Sequence, residues 1–92
     1  MAALPTYTKD PSATLDFTWN WAAWLVTGDT LSTATVTADT GLTVASHAIV
    51  GQTVTAWLSG GEAGTSYRAT CQVTTTGGRV DERSIVIEVA QR

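Results

Sequence analysis

Apolar and polar residues alternate along most of the chain, and the period is two. Leu15, Phe17, Trp19 and Trp21 share one parity, while Asp16, Thr18 and Asn20 share the other. Such alternation marks a strand with one face buried. Ala22-Ala23-Trp24-Leu25 breaks the rhythm as a helical turn or a bend, and Thr27-Gly28-Asp29 closes it. Thr30 to Ala38 resumes the alternation, with Ala34, Val36 and Ala38 expected inward and Leu31 at the entry. After the turn signal Asp39-Thr40-Gly41, Leu42, Val44 and Ser46 are expected inward, with Ile49 and Val50 near the strand end. Gly51-Gln52 turns the chain into Thr53–Leu58, where Val54, Ala56 and Leu58 form the apolar set. Thr53, Thr55 and Trp57 fall on the other parity, so Trp57 is expected to face away from the core.

A glycine-rich connection, Ser59 to Gly64, leads to a strand with Tyr67, Ala69, Cys71 and Val73 inward. Thr76-Gly77-Gly78 signals a hairpin. The last strand, Arg79 to Val89, sends Ile85, Ile87 and Val89 inward. Val80 has the opposite parity, which predicts a bulge near Asp81–Arg83. Before residue 15, Pro5 and Pro11 exclude a helix, so residues 1–14 read as an extended arm, with a turn at Lys9-Asp10-Pro11-Ser12. The expected organisation is this arm, 1–14, followed by one domain, 15–92.

About seven short strands with turn signals every 8–12 residues predict an all-β, antiparallel sandwich or barrel. Gly64-Thr65-Ser66-Tyr67 sharpens the choice. A tyrosine opening the penultimate strand, with its hydroxyl closed onto backbone just upstream, is the tyrosine corner of immunoglobulin-like sandwiches. The pair Tyr67 and Gly64 is therefore assigned a structural role.

Composition supports the pattern. Among 92 residues there are 18 Thr and 6 Ser, and charged residues make up 14%, about half the usual share. Thr suits a pleated, half-exposed surface. The net charge is −3, and the five basic residues (Lys9, Arg68, Arg79, Arg83, Arg92) are dispersed. A nucleic-acid binder carries a basic stripe, so no nucleic-acid partner is expected. No apolar run is long enough to span a membrane as a helix, and the N-terminus shows no secretory pattern, so synthesis in a cytoplasm is expected.

Candidate chemistry is sparse. One Cys and one His, Cys71 and His47, cannot build a zinc site. They could formally form a nucleophile pair, but Cys71 sits on the apolar parity of its strand, where it acts as a small hydrophobe. The aspartates Asp10, Asp16, Asp29, Asp39 and Asp81 sit in turns or outward positions, with no calcium-loop spacing. The glycines at 60, 61 and 64 lack the lysine and helix of a phosphate loop. No catalytic residue, metal or cofactor is assigned.

The tryptophans remain. Trp19 and Trp21 alternate with Leu15 and Phe17 and are expected in the core. Trp24 is not placed by its neighbours. Trp57 is the candidate exposed aromatic, a feature of protein contacts and of sugar-stacking platforms. The candidate protein interface comprises Trp57, Thr55 and Thr53, together with Trp24 and with Pro5 and Tyr7 of the arm, a plausible tether to a neighbouring subunit.

Three stretches also carry a likeness. They are Lys9-Asp10-Pro11-Ser12-Ala13-Thr14-Leu15-Asp16-Phe17 with Trp21-Ala22-Ala23-Trp24-Leu25 and Gly28–Ser32, then Trp57 to Arg68, then Gly78 to Ile85. Together they resemble a family of small virion proteins of tailed bacteriophages, the phage fibre–tail adaptor proteins. The likeness runs from about residue 8 to residue 90, with 57–67 the most specific part. It implies a non-enzymatic virion protein connecting tail or neck components to fibres. Implied partners are other virion proteins (tail, neck, fibre or capsid subunits) and copies of itself in a symmetric assembly. The family has no catalytic motif to transfer. Two further readings stay open: a capsid decoration or minor head protein, and a carbohydrate-binding adhesion module using Trp57.

Overall fold

In a computed structural model, which describes residues 5–91, the alternating segments become seven strands. They are β1 (Thr6–Lys9), β2 (Leu15–Asn20), β3 (Leu31–Ala38), β4 (Leu42–Val50), β5 (Thr53–Gly60), β6 (Ser66–Thr75) and β7 (Val80–Val89). Residues 1–4 of the expected arm and Arg92 lie outside the described residues. The strands form two sheets, a four-stranded one in the order β1-β7-β6-β3 and a three-stranded one in the order β2-β5-β4. The two inner faces close over one core, a β-sandwich. Trp19, Trp21, Val54, Ala56, Leu58, Tyr67, Ala69, Cys71, Val73, Ile85, Ile87 and Val89 are buried there, as their parity predicts.

Antiparallel pairing holds for every pair except one. β1 runs parallel to β7, with Tyr7 beside Ile87 and Lys9 beside Val89. The expectation of a purely antiparallel sandwich is corrected at this edge. Alternation over four residues cannot reveal a partner at the far end of the chain. Residues 6–9 of the extended arm are thus a sheet strand, followed by an Asx turn in which Asp10 Oδ1 accepts the Ser12 amide at 2.8 Å.

The bulges also fall elsewhere than expected. β7 pairs with β6 without interruption from Val80 to Glu88, so no bulge lies at Asp81–Arg83. Regular pleating simply turns Val80 outward, 58% exposed, and turns Arg83 toward the open end of the core. The register shifts instead between Leu31 and Thr33 in β3, and between Val44 and Ser46 in β4. The first shift lets Leu31 join the inward set of Val36 despite its odd parity. The second turns Ser46 outward, opposite Trp57, against the expectation that it points in, and brings Ile49 inward beside Val54.

Candidate interaction surface

The outer face of the three-stranded sheet is built by the polar parity of its strands. Register places Asp16, Trp57 and Ser46 in one row, Thr18, Thr55 and Ala48 in the next, and Asn20, Thr53 and Val50 in the third. Trp57 stands on the central strand, 44% exposed. The threonines beside it are fixed. Thr18 and Thr55 hydroxyls hydrogen-bond at 3.1 Å, and the Thr53 hydroxyl donates to the Val50 carbonyl at 2.8 Å. Asp16 is the only ionisable group in these three rows. A pleated sheet with short, tied hydroxyls and one projecting indole has little side-chain entropy to lose on contact.

The opposite outer face differs in kind. There β6 and β7 present Arg68, Glu82 and Glu88 outward, and Thr70 Oγ1 lies 2.8 Å from Ser84 Oγ. Ionised and well hydrated, it is the less suited of the two to a dry contact.

The other candidate residues do not gather around Trp57. Pro5 and Tyr7 lie at the β1 edge, where the Pro5 carbonyl accepts the Val86 amide at 2.8 Å. The Tyr7 ring, 43% exposed, tilts against Phe17 with centroids 5.5 Å apart, bridging the two sheets. Trp24 lies at the end of the sandwich carrying the β2–β3 loop. It is half-buried, edge-on to Trp21 at 5.2 Å, with the Arg79 guanidinium 4.4 Å above its ring. Arg79 Nη1 also donates to the Trp24 carbonyl at 3.0 Å. Arg83 repeats the device over Trp21 at 4.3 Å. Parity puts Arg83 with Ile85 and Ile87, so the signal existed; its charge argued the other way.

Two further residues escaped the sequence reading. Lys9 is fully buried, and its Nζ donates to the Gly60 carbonyl at 2.7 Å and the Asp10 carbonyl at 2.9 Å. Burial lowers its pKa, partly offset by the Asp10 charge. Asp29 clamps the β6–β7 hairpin from the β2–β3 loop. Its Oδ1 accepts the Gly77 amide at 3.0 Å, the Thr76 hydroxyl at 2.9 Å and the Thr30 amide at 3.0 Å. The Thr75 hydroxyl first, then these donors, hold its carboxyl below the ordinary carboxylate range, although Oδ2 has no partner of hydrogen-bonding geometry.

At the other end, the Tyr67 hydroxyl oxygen accepts the Glu62 amide at 2.9 Å. Gly64 adopts φ +89° and donates its amide to the Val89 carbonyl at 2.8 Å, tying the loop to β7. Cys71 is buried, and desolvation pushes its thiol up to about 11, the Trp21 indole offsetting part of this. The His47 ring donates to the Ala34 carbonyl at 3.2 Å. The interior thiol is thus held protonated at neutral pH, whereas a nucleophilic cysteine acts as the thiolate. Among the described residues no cluster of three His, Cys, Asp or Glu could hold a metal, and no helix is long and apolar enough to cross a membrane.

The sequence model of a virion-protein family, the podophage GP4 fiber-tail adaptor protein gp77, matches residues 9–88. That match takes in nearly the whole sandwich, and the chain belongs to this family. No curated protein matches the sequence.

Proposed function

We propose that the chain is a non-enzymatic structural connector of the phage particle that joins tail or neck components to fibres through the Trp57 face. The observation that carries this reading is the indole of Trp57, 44% exposed on a sheet face whose paired rows hold one carboxylate. An exposed Trp on a sheet face nearly free of charge has the features of an interface centre, where aromatic residues are enriched and charged ones depleted. Thr55 and Thr53 continue the face in the next two rows, while Pro5 and Tyr7 at the β1 edge and Trp24 at the loop end offer separate, smaller contacts. Family membership supports tail and fibre proteins as partners, and copies of the chain complete a symmetric assembly. The reading places the protein in the virion after synthesis in the host cytoplasm, with neither nucleic acid nor membrane as partner. Capsid decoration has no comparable support. A sugar platform is disfavoured because Asp16 and Asn20 are the only amide or carboxylate side chains in the rows around Trp57.

The test uses phage particles assembled with wild-type protein or with Trp57→Ala, imaged with gold-labelled antibody. Label at the tail or neck, with fibres missing from the variant particles, is the expected result. Label distributed over the head, or full fibre occupancy with the variant, would sink the proposal.

A further inference from the structure

The two sides of the sandwich are closed in different ways. On one side the edge strands are β1 and β2. β1 is short, follows Pro5 and ends in Lys9; β2 carries Asp16 and follows Pro11. Prolines, charges and short length are the devices that keep sheet edges from pairing with other chains. On the other side the edges are β3 and β4, eight and nine residues long, with no Asp, Glu, Lys, Arg or Pro in either.

β3 is partly covered, because His47 reaches across and donates to the Ala34 carbonyl at 3.2 Å. Among the described residues β4 has β5 on one flank only. Its bulge sits between Val44 and Ser46, and from Ser46 to Val50 the register is regular against Trp57 to Thr53. Ser46, His47, Ala48 and Val50 are exposed in this stretch, Val50 at 62%. A regular, uncharged five-residue edge is a template for a further strand.

We propose that the occupant of this edge is the same edge of a second copy, β4 pairing antiparallel with β4 across a two-fold axis through Ser46–Val50. A two-fold contact centred on Ala48 sets that residue opposite its own copy, with Ser46 facing Val50 and His47 facing Ile49 of the second chain, so a charge at the axis would face its like. β4 carries no Asp, Glu, Lys or Arg. The alternative head-to-tail contact would meet Lys9, Asp10 and Asp16 of the opposite side, for which β3 and β4 offer no counter-charge. The two-fold arrangement extends the three-stranded sheet to six strands. It lays Ser46, Ala48 and Val50 of both copies, and hence both Trp57 rows, on one continuous outer face. It holds independently of what binds Trp57.

Sedimentation velocity on the full chain, from micromolar to several hundred micromolar, tests the proposal. The wild-type chain is expected to shift from monomer to dimer over this range. Ala48→Lys, an exposed position, is expected to remain monomeric with unchanged far-UV circular dichroism. Thr35→Lys on β3 is expected to dimerise like wild type. A wild-type chain that stays monomeric throughout, an Ala48→Lys dimer, or loss of the dimer in Thr35→Lys would each overturn the assignment. Trp57→Ala keeps the dimer if the two surfaces are separate as described.

Discussion

The Tyr67 hydroxyl oxygen lies 2.9 Å from the Glu62 amide nitrogen and accepts its hydrogen, so the phenol closes the loop that feeds its own strand. The ring is held between two glycines. A Cβ on Gly41 would stand 2.9 Å from Tyr67 Cε1, and one on Gly61 would stand 2.6 Å from Val89 Cγ2 and 3.4 Å from Tyr67 Cε2. Tyr67→Phe removes one hydrogen bond while keeping the packing, and is expected to cost about 1 kcal/mol. Gly61→Ala adds a clash to a φ of +94° and is expected to cost more, about 2–4 kcal/mol. Urea unfolding of the two variants checks the order; equal losses would mean that the glycine corridor is not tight.

The corner was legible from Gly64 and Tyr67 because its signal is local. So was the outward placement of Trp57, because Val54, Ala56 and Leu58 fix the phase of β5. What escaped depends on distant partners. Arg79 bonds the Trp24 carbonyl 55 positions away, and Lys9 bonds Gly60 51 positions away, so neither Trp24 nor Lys9 could be placed by its neighbours. The bulge in β4 falls at Ala45, between residues too small to show a change of phase, whereas Val80 looked like a phase error and is only an exposed valine.

Lys9 ties the end of β1 to the end of β5. Lys9→Met keeps the stem and removes both donated bonds, leaving carbonyls without their donor, and is expected to cost about 1–3 kcal/mol. The pH dependence has a definite sign. Burial lowers the folded-state pKa below 10.5, so the native chain binds this proton less tightly than the unfolded one. Wild-type stability relative to Lys9→Met should therefore rise as pH climbs toward 10.5 through the folded-state value. Unfolding curves of both chains between pH 8 and pH 11 measure the difference, and a falling difference would contradict the burial of the ammonium.

Cys71 titrates with the opposite sign. Its thiol is raised from 9.0 to about 11, so the folded chain retains a proton that the unfolded chain releases. The resulting stabilisation is full below pH 9 and lost as pH rises to about 11. Relative to Cys71→Ala, wild-type stability should decline across that window and stay parallel below it. The same burial predicts no reaction with a thiol reagent at neutral pH in the native state and full reaction after unfolding. Rapid native labelling would place the sulfur outside the core.

The tryptophans separate fold from contact. Trp21 is fully buried between Trp24 and the Arg83 guanidinium, and Trp19 is 4% exposed, both on the parity of Phe17. Removing either side chain empties a large volume that a small sandwich cannot refill, and Trp21→Ala is expected to cost about 3–5 kcal/mol. Trp57 projects from the outer face, where side-chain loss leaves no cavity, and Trp57→Ala should change stability by only about 0.5 kcal/mol. Fluorescence should divide the same way. Quenching of the wild-type chain by iodide should fall when Trp57 is replaced, since the two core indoles are shielded from it. Trp24, under Arg79, should contribute the remaining accessible fraction, and Arg79→Ala should increase it. A Trp57→Ala chain as unstable as Trp21→Ala would show that the indole packs inward and would remove the surface on which the connector role rests.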